Sequence, residues 1–258
     1  MKRSIPFALA FVAAAALVAG ASTAQEKTIR LGTEGAYAPF NYTDQSGQPK
    51  GFEIDLGNAL CERMKVKCVW VTQDWDGIIP ALNAKKFDAI MASMSITPER
   101  RKSVDFSERY YQTPSRLVAK KGSGLTTDDP STLKGKTVGV QRGTTHARYL
   151  ETKLKDQVKI NFYDTQENAN LDLKDGRVDA VLADSAVQYE WLKQPENKDF
   201  DFAGKPLVDP EIFGDGVGIA FRKGDDALRT AFNKAIDEVT EDGTFQKINE
   251  RYFPFSIR

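Results

Sequence analysis

Histidine and cysteine are scarce in this sequence of 258 residues, which contains one His and two Cys. Zinc sites draw most of their ligands from clusters of these residues, and no such cluster occurs here at metal-ligand spacing. A framework of several disulfides is excluded as well, because two Cys can form only one bridge. We therefore expect no metal site and no cofactor.

Net charge is also lacking. Lys plus Arg and Asp plus Glu number 36 each, so the formal net charge is +0 at pH 7. Proteins that bind nucleic acids usually carry a basic excess, because they must neutralise phosphates. The composition gives no indication of a nucleic-acid partner.

Long apolar runs are absent beyond the N-terminus. The run at residues 5–21 follows the charged residues 2–3 and precedes the small residues 22–24. This pattern is typical of a secretory signal peptide at residues 1–24, with cleavage after Ala24 or alternatively after Ala21. A membrane anchor is the competing interpretation, but the run is short and Ala-rich for a span of about 20 residues. We expect an exported, soluble protein without direct membrane insertion.

Strand-like and helix-like patterns alternate along the rest of the chain. The segments with strand patterns are 28–32, 66–71, 87–92, 136–140, 158–163 and 178–183. The segments with helix patterns are 52–64, 77–86, 144–155, 166–174 and 187–192. Such alternation is typical of an α/β fold with parallel strands.

One short segment has an echo in the second half of the chain. Residues 82–93, LNAKKFDAIMAS, align without gaps with residues 173–184, LKDGRVDAVLAD. The match is too weak for a repeat array, and helix-turn-strand units also converge by chance. Its simplest physical meaning is two similar α/β lobes, with Ser93 in one lobe opposite Asp184 in the other.

The residues just past these strands are candidates for a binding site, because ligands of open α/β sheets bind beyond the carboxyl ends of the strands. They are Ser93, Ser95 and Arg100 in the first lobe and Asp184 in the second. Hydroxyl and guanidinium groups facing a carboxylate complement an α-amino acid. Two other interpretations stay open: Arg100, in the first turn of a helix capped by Thr97, can be a surface charge, and Asp184 can be a helix N-cap.

The two cysteines, Cys61 and Cys68, are seven residues apart, the first late in a helix pattern and the second in a strand pattern. In an oxidising exported compartment this spacing favours a local disulfide. Two buried free thiols are the alternative.

Five segments resemble the basic-amino-acid group of periplasmic solute-binding proteins of ABC importers, which includes binders of lysine, arginine, ornithine, histidine and opines. The segments are GTEGAYAPF (32–40), GFEIDLGNALCERM (51–64), DGIIPALNAKKFDAIMASMSITPERR (76–101), GVQRGTTHARYL (139–150) and DGTFQKINERYFPF (242–255). The similarity covers the mature chain in order. It implies a two-lobe Venus-flytrap α/β fold with two hinge strands and a parallel-rich sheet in each lobe.

The resemblance also implies a ligand-binding set and the Cys61–Cys68 disulfide. The expected site residues are Glu34, Tyr37, Trp75, Ala92, Ser93, Met94, Ser95, Arg100, Gln141, Thr144, Thr145, His146 and Asp184. Arg100 and the two Ser would bind the ligand carboxylate with Thr145, and Asp184 would accept from the α-ammonium. Tyr37 and Trp75 would cover the ligand side chain, which suits a cation. Glu34 would pair with its distal charge.

Some positions depart from the lysine and histidine binders of this group. Glu34 replaces Asp, Gln141 replaces an aliphatic residue, His146 replaces Gln, Ala92 stands where some members have Ser, and Trp75 is bulkier. In these respects the chain leans toward the arginine, octopine and nopaline binders. The single His is either a polar residue at a helix start or a donor to the ligand.

The function implied is a monomeric periplasmic receptor, not an enzyme, that delivers a cationic L-amino acid to an ABC permease. Lobe 1 would comprise residues 25–112 and 216–258, and lobe 2 residues 113–215, with hinges at the two boundaries. An opine receptor is the first alternative. An exported dehydratase on the same scaffold and a sensor module of a signalling protein are the others.

Overall fold

The computed structural model describes residues 27–258. The predicted signal peptide at residues 1–24 lies outside the described residues, so its cleavage stays a prediction. Between residues 27 and 258, no helix is long and apolar enough to cross a membrane.

The described chain alternates short strands and helices in the way the sequence predicts. Its strands are β1 Thr28–Thr33, β2 Ala36–Tyr37, β3 Asn41–Thr43, β4 Pro49–Lys50, β5 Lys67–Thr72, β6 Ala89–Ile90, β7 Asp105–Phe106, β8 Ser115–Lys120, β9 Thr137–Gln141, β10 Lys159–Tyr163, β11 Ala180–Asp184, β12 Phe200–Phe202 and β13 Ala220–Phe221. Its α-helices are α1 Phe52–Arg63, α2 Ile78–Asn83, α3 Thr145–Tyr149, α4 Gln166–Lys174, α5 Ser185–Leu192, α6 Pro210–Phe213, α7 Asp226–Glu241 and α8 Thr244–Tyr252. Short 3₁₀ turns cover Trp75–Gly77, Arg100–Lys102, Pro130–Leu133 and Pro195–Asn197.

Two five-stranded sheets share one layout. The first has the strand order β5-β1-β6-β13-β7 and the second β10-β9-β11-β8-β12. In each, the first three strands are parallel, and the fourth runs antiparallel to both of its neighbours. All but one strand of each sheet therefore point the same way, which confirms the predicted two-lobe, parallel-rich α/β fold.

The sequence echo corresponds to the same structural unit in both sheets. In the first, the side chain of Asp88 accepts a hydrogen bond from the backbone N–H of Arg30 on the adjacent strand, at 2.9 Å. In the second, Asp179 accepts from the backbone N–H of Thr137, at 2.8 Å. The shared Asp thus satisfies a backbone donor at the start of a neighbouring parallel strand in each sheet.

The chain passes between the sheets in two adjacent segments, one between β7 and β8 and one between β12 and β13. Val217 pairs with both Ser95 and Tyr111, and Ser115 pairs with Leu207, in isolated antiparallel bridges. The two connections therefore run side by side. The predicted lobe boundaries fall within these two segments and stay a prediction.

Helices cover both faces of each sheet. Side chains of α1, α7 and α8 form one core against the first sheet, and α2 contributes to a second core on its other face. In α7 the buried residues Phe232, Ala235, Ile236 and Val239 recur with helical spacing, so the helix presents one apolar stripe to the sheet. The second sheet is covered in the same way by α3 and α4.

The predicted disulfide is confirmed. Cys61, near the end of α1, is bonded to Cys68 in β5, and their Cα atoms are 6.0 Å apart. The bridge ties the helix to the edge strand of the first sheet, away from the carboxyl ends of the strands.

Three elements differ from the sequence prediction. The strand expected at 87–92 is assigned only over Ala89–Ile90, although the N–H groups of Asp88 and Met91 also bond to carbonyls of β1. The chain then turns at Ser93, whose φ is 52°. The helix expected after Thr97 is only a 3₁₀ turn; cations in its first turn disfavour a longer helix. The helix expected at 144–155 is an α-helix to Tyr149 followed by a π-helical turn.

Candidate ligand-binding site

A cavity lies between the two sheets. Its lining consists of twelve of the thirteen residues expected from the sequence: Glu34, Tyr37, Trp75, Ala92, Ser93, Ser95, Arg100, Gln141, Thr144, Thr145, His146 and Asp184. The exception is Met94, whose side chain is fully buried in an apolar core of the first lobe and does not reach the cavity.

The cavity lies at the carboxyl ends of the parallel strands of both sheets. Glu34 follows β1, Trp75 follows β5, and Ser93 and Ser95 follow β6. In the second sheet, Gln141 ends β9 and Asp184 ends β11. This is the location that open α/β sheets use for ligands.

Asp184 directs its carboxylate to the cavity and not to the helix that follows. Although it precedes α5, its side chain makes no capping hydrogen bond. Its Oδ2 instead accepts from the hydroxyl of Tyr37 in the other lobe at 2.7 Å, and its Oδ1 accepts from the hydroxyl of Thr113 at 3.0 Å. Asp184 therefore occupies the N-cap position of α5, but the interpretation of its side chain as a helix cap is wrong.

Arg100 is held in place on the opposite wall. Its guanidinium donates to the backbone carbonyl of Ser95 at 3.0 Å and, across the cavity, to that of Gly143 at 3.4 Å. The guanidinium carbon lies 5.1 Å from the centre of the Trp75 ring, a cation–π geometry. Burial lowers the pKa of Arg100 to about 10, with Asp184 opposing the shift and Arg148 adding to it. The guanidinium therefore stays charged at neutral pH.

Glu34 is a buried carboxylate with one partner from the other lobe. Its Oε1 accepts from the Nε2 amide of Gln141 at 2.5 Å, and that amide also donates to the carbonyl of Asp164 at 3.0 Å. Burial raises the pKa of Glu34 to about 7; the Gln141 hydrogen bond opposes the shift, and the nearby carboxylates Glu53 and Asp74 add to it. Glu34 is thus poised to become fully ionised when a cation approaches.

The first turn of α3 forms part of the second lobe's wall. The hydroxyl of Thr144 accepts from the backbone N–H of Ala147 at 3.1 Å and donates to the carbonyl of Gln141 at 2.7 Å. Thr144 is therefore occupied as the helix N-cap. This cap fixes the direction of the helix, so that Thr145 and His146, both buried, face the cavity.

Glu53 is a supporting residue that the sequence interpretation missed. It is fully buried in the first turn of α1. Its oxygens accept from the backbone N–H of Ser93 at 2.8 and 2.9 Å, from the Ser93 hydroxyl at 3.1 Å and from the Asn41 amide at 2.8 Å. The Tyr110 hydroxyl also donates to it. The sequence does contain a signal for this residue, an acidic side chain between apolar neighbours in GFEIDL. The same pattern is typical of the first turn of any helix, where acidic residues are favoured, so it does not identify a buried carboxylate.

This network explains the unusual backbone of Ser93. A positive φ is uncommon outside Gly, and it persists where surrounding contacts fix it. Here Glu53 binds the Ser93 N–H and hydroxyl, while the Tyr111 hydroxyl donates to Ser93 Oγ at 2.8 Å. Burial raises the pKa of Glu53, and its many donors oppose that shift. Ser93 therefore lines the cavity while its hydroxyl is hydrogen-bonded to Glu53 and Tyr111.

No group of three or more His, Cys, Asp and Glu residues suited to a metal ion occurs within residues 27–258. The cavity instead combines one guanidinium, two carboxylates, several hydroxyl groups and two aromatic rings. These groups can bind both charged ends of a zwitterion and an additional cation.

Residues 29–255 match the sequence model of the bacterial extracellular solute-binding proteins, family 3. The chain belongs to this family. Membership confirms the resemblance inferred from the sequence segments, and it accounts for the two sheets of equal layout with a binding cavity between them.

Several relatives of this family-3 protein are closely similar. The L-arginine-binding protein of Pseudomonas aeruginosa is 48% identical over 91% of each chain. The lysine/arginine/ornithine-binding periplasmic protein of Escherichia coli is 45% identical over 100% of this chain and 99% of that protein. A solved Salmonella typhimurium periplasmic binding protein, described for its high arginine specificity, has a TM-score of 0.82 and 38% identity, covering 88% of this chain and 99% of that one. These relatives are binding proteins.

Proposed function

We propose that this chain is a periplasmic receptor that binds a cationic L-amino acid and delivers it to an ABC permease. The ligand would be arginine, lysine, ornithine or histidine. The observation that carries the proposal is the charge content of the cavity: Arg100 supplies one positive charge, and Glu34 and Asp184 supply two negative ones. An amino acid with a cationic side chain carries the opposite set, one carboxylate and two cations, so each charge that lines the cavity finds a partner.

The proposed roles follow from this matching. Arg100 binds the ligand carboxylate, supported by donors of Ser95 and Thr145. Asp184 accepts from the α-ammonium, and Glu34 pairs with the cation of the side chain. The two aromatic residues of the cavity, Tyr37 and Trp75, cover the aliphatic part of the side chain between these charges. The arginine and lysine/arginine/ornithine binders named above support this ligand class.

A neutral amino acid should bind less well. It would leave Glu34 buried and ionised without a positive counter-charge, or would require it to stay protonated. An unpaired buried charge is unfavourable, whereas a cationic side chain replaces the lost hydration of that carboxylate. The ligand class therefore depends on Glu34 more than on the α-amino-acid contacts.

Binding would be linked to closure of the two lobes, with the boundaries given above. Three hydrogen bonds already cross the cavity, from Tyr37 to Asp184, from Gln141 to Glu34 and from Arg100 to the Gly143 carbonyl. A ligand that contacts both walls favours the closed state by its extra contacts, which is a population shift. The crossings between β7 and β8 and between β12 and β13 would be the hinges.

We propose no catalytic step for this cavity. Its titratable groups each have a binding role, and a receptor needs none of them to exchange a proton with the ligand. Incubation of the purified protein with prephenate tests the dehydratase alternative. We expect no product; product formation that depends on Glu34 would contradict the assignment.

A thermal-shift screen tests the ligand class. A ligand that binds the folded state raises its stability by RT ln(1 + [L]/Kd), about 2.7 kcal/mol at a ligand concentration of 100 Kd. We expect basic amino acids to raise the Tm by several degrees and glutamate and leucine to leave it unchanged. A larger shift with octopine or nopaline than with any amino acid would make the chain an opine receptor.

A further inference from the structure

His146 has a buried polar atom without a partner. Its side chain is only 7% exposed, and its Nε2 atom makes no hydrogen bond within the described part of the chain. Nε2 lies 3.8 Å from Oδ1 of Asp184, which is too long for a hydrogen bond. Buried polar atoms are nearly always hydrogen-bonded, and this one lines the ligand cavity. The missing partner is therefore expected from the ligand.

The surroundings of His146 favour a neutral imidazole. Burial lowers its pKa, the positive charge of Arg100 adds to this, and Asp184 opposes it. The apolar ring of Phe213 in α6 also lies beside His146, with ring centres 6.0 Å apart. A neutral imidazole can accept a hydrogen bond at Nε2.

We propose that His146 Nε2 accepts a hydrogen bond from the ligand's α-ammonium, beside Asp184. The inference rests on the proposed function. An ammonium group brings three donors, and Asp184 already accepts from Tyr37 and Thr113. Two acceptors 3.8 Å apart can both be reached by one nitrogen at about 2.9 Å from each. His146 would thus make the site more selective for ligands with a free α-amino group.

A binding comparison isolates this contact. Isothermal titration would measure the Kd of arginine and of 5-guanidinopentanoate, which is arginine without its α-amino group. Replacing His146 with Phe keeps an aromatic ring beside Phe213 but removes the acceptor. We expect His146→Phe to weaken arginine binding by roughly tenfold or more and to change the Kd of the analogue less than twofold. His146→Gln, which restores an acceptor, should recover most of the affinity for arginine.

Equal weakening of both ligands by His146→Phe would overturn the proposal, because it would assign His146 to packing or to the ligand carboxylate. No weakening of either would overturn it as well. If the unmodified protein binds no cationic amino acid at all, the proposed function fails and this inference fails with it. The two failures are therefore distinguishable.

A second measurement needs no substitution. His146 is the single His of the chain, so the protein without a histidine tag gives one imidazole in a long-range ¹H–¹⁵N spectrum. With arginine bound at pH 7.5, we expect an unprotonated Nε2 and a proton on Nδ1. A proton on Nε2 in the complex would contradict the acceptor role, because that nitrogen would then donate.

Discussion

Removal of the Arg100 guanidinium should abolish tight binding while the fold persists. Two carbonyl hydrogen bonds and the ring of Trp75 hold this group in place. Little of its binding energy is therefore lost to ordering the side chain. Truncation of one partner of a buried, hydrogen-bonded charge pair costs about 2–5 kcal/mol. For Arg100→Ala this corresponds to a roughly 30- to 4,000-fold rise in the Kd for arginine.

The effect on folding should be much smaller. Two carbonyl hydrogen bonds are lost, about 1 kcal/mol each, and relief from burying a cation offsets part of that. A net loss of about 1–2 kcal/mol lowers the Tm without ligand by about 2–8 °C. Arg101→Ala is the matched control, because Arg101 is the exposed next residue of the same 3₁₀ turn.

Isothermal titration with arginine, together with thermal unfolding of the ligand-free variants, separates the two effects. Arg100→Lys should fall between the wild type and Arg100→Ala, since Lys keeps the charge but not the bidentate geometry. A Kd for Arg100→Ala within threefold of the wild type would refute the proposal that Arg100 binds the ligand carboxylate. An equal loss in Arg101→Ala would show that general charge, and not this contact, drives binding.

Four further outcomes are expected. Because pairing requires ionised Glu34, whose pKa is about 7, arginine should bind more tightly as pH rises from 6 to 8, and titrations of Glu34→Gln should show a flatter profile. Asp184→Asn should weaken arginine binding roughly 30-fold or more in the same assay. Glu53→Gln replaces a carboxylate oxygen by an NH₂ group that faces the donors of Ser93 and Asn41. The Tm should therefore fall by several degrees, and the affinity for arginine should fall as well, because Glu53 positions Ser93. Replacing Cys61 and Cys68 together by Ser should cost about 2 kcal/mol in denaturant unfolding yet leave the Kd unchanged, since the bridge lies outside the cavity.

Much of the fold was predictable because its signals are local. Alternating strand and helix patterns, each within about ten residues, gave the parallel-rich sheets. The echo between 82–93 and 173–184 was detectable because the same side chain, Asp88 or Asp179, bonds the same backbone position in both sheets. The rule that ligands bind at carboxyl strand ends then brought Ser95, Arg100 and Asp184 into one cavity.

The parts that were not predictable depend on contacts between distant segments. Glu53 supports Ser93 from a helix forty residues earlier, and no local pattern distinguishes it from a solvated acidic residue. The pairing of Glu34 with Gln141 requires the two lobes to meet. Met94 lies between cavity residues in sequence but faces the core, because the left-handed turn at Ser93 sets the direction of the side chains that follow.

We propose that the cavity selects a cationic amino acid by matching its three charges to Arg100, Glu34 and Asp184. The most direct test is isothermal titration of the ligand-free protein with arginine, lysine, ornithine, histidine and glutamate. We expect one site per chain that binds at least one of the four basic amino acids roughly 100-fold or more tightly than glutamate, because glutamate would bring a second carboxylate to Glu34. Equal affinity for glutamate, or no binding of any basic amino acid, would contradict it.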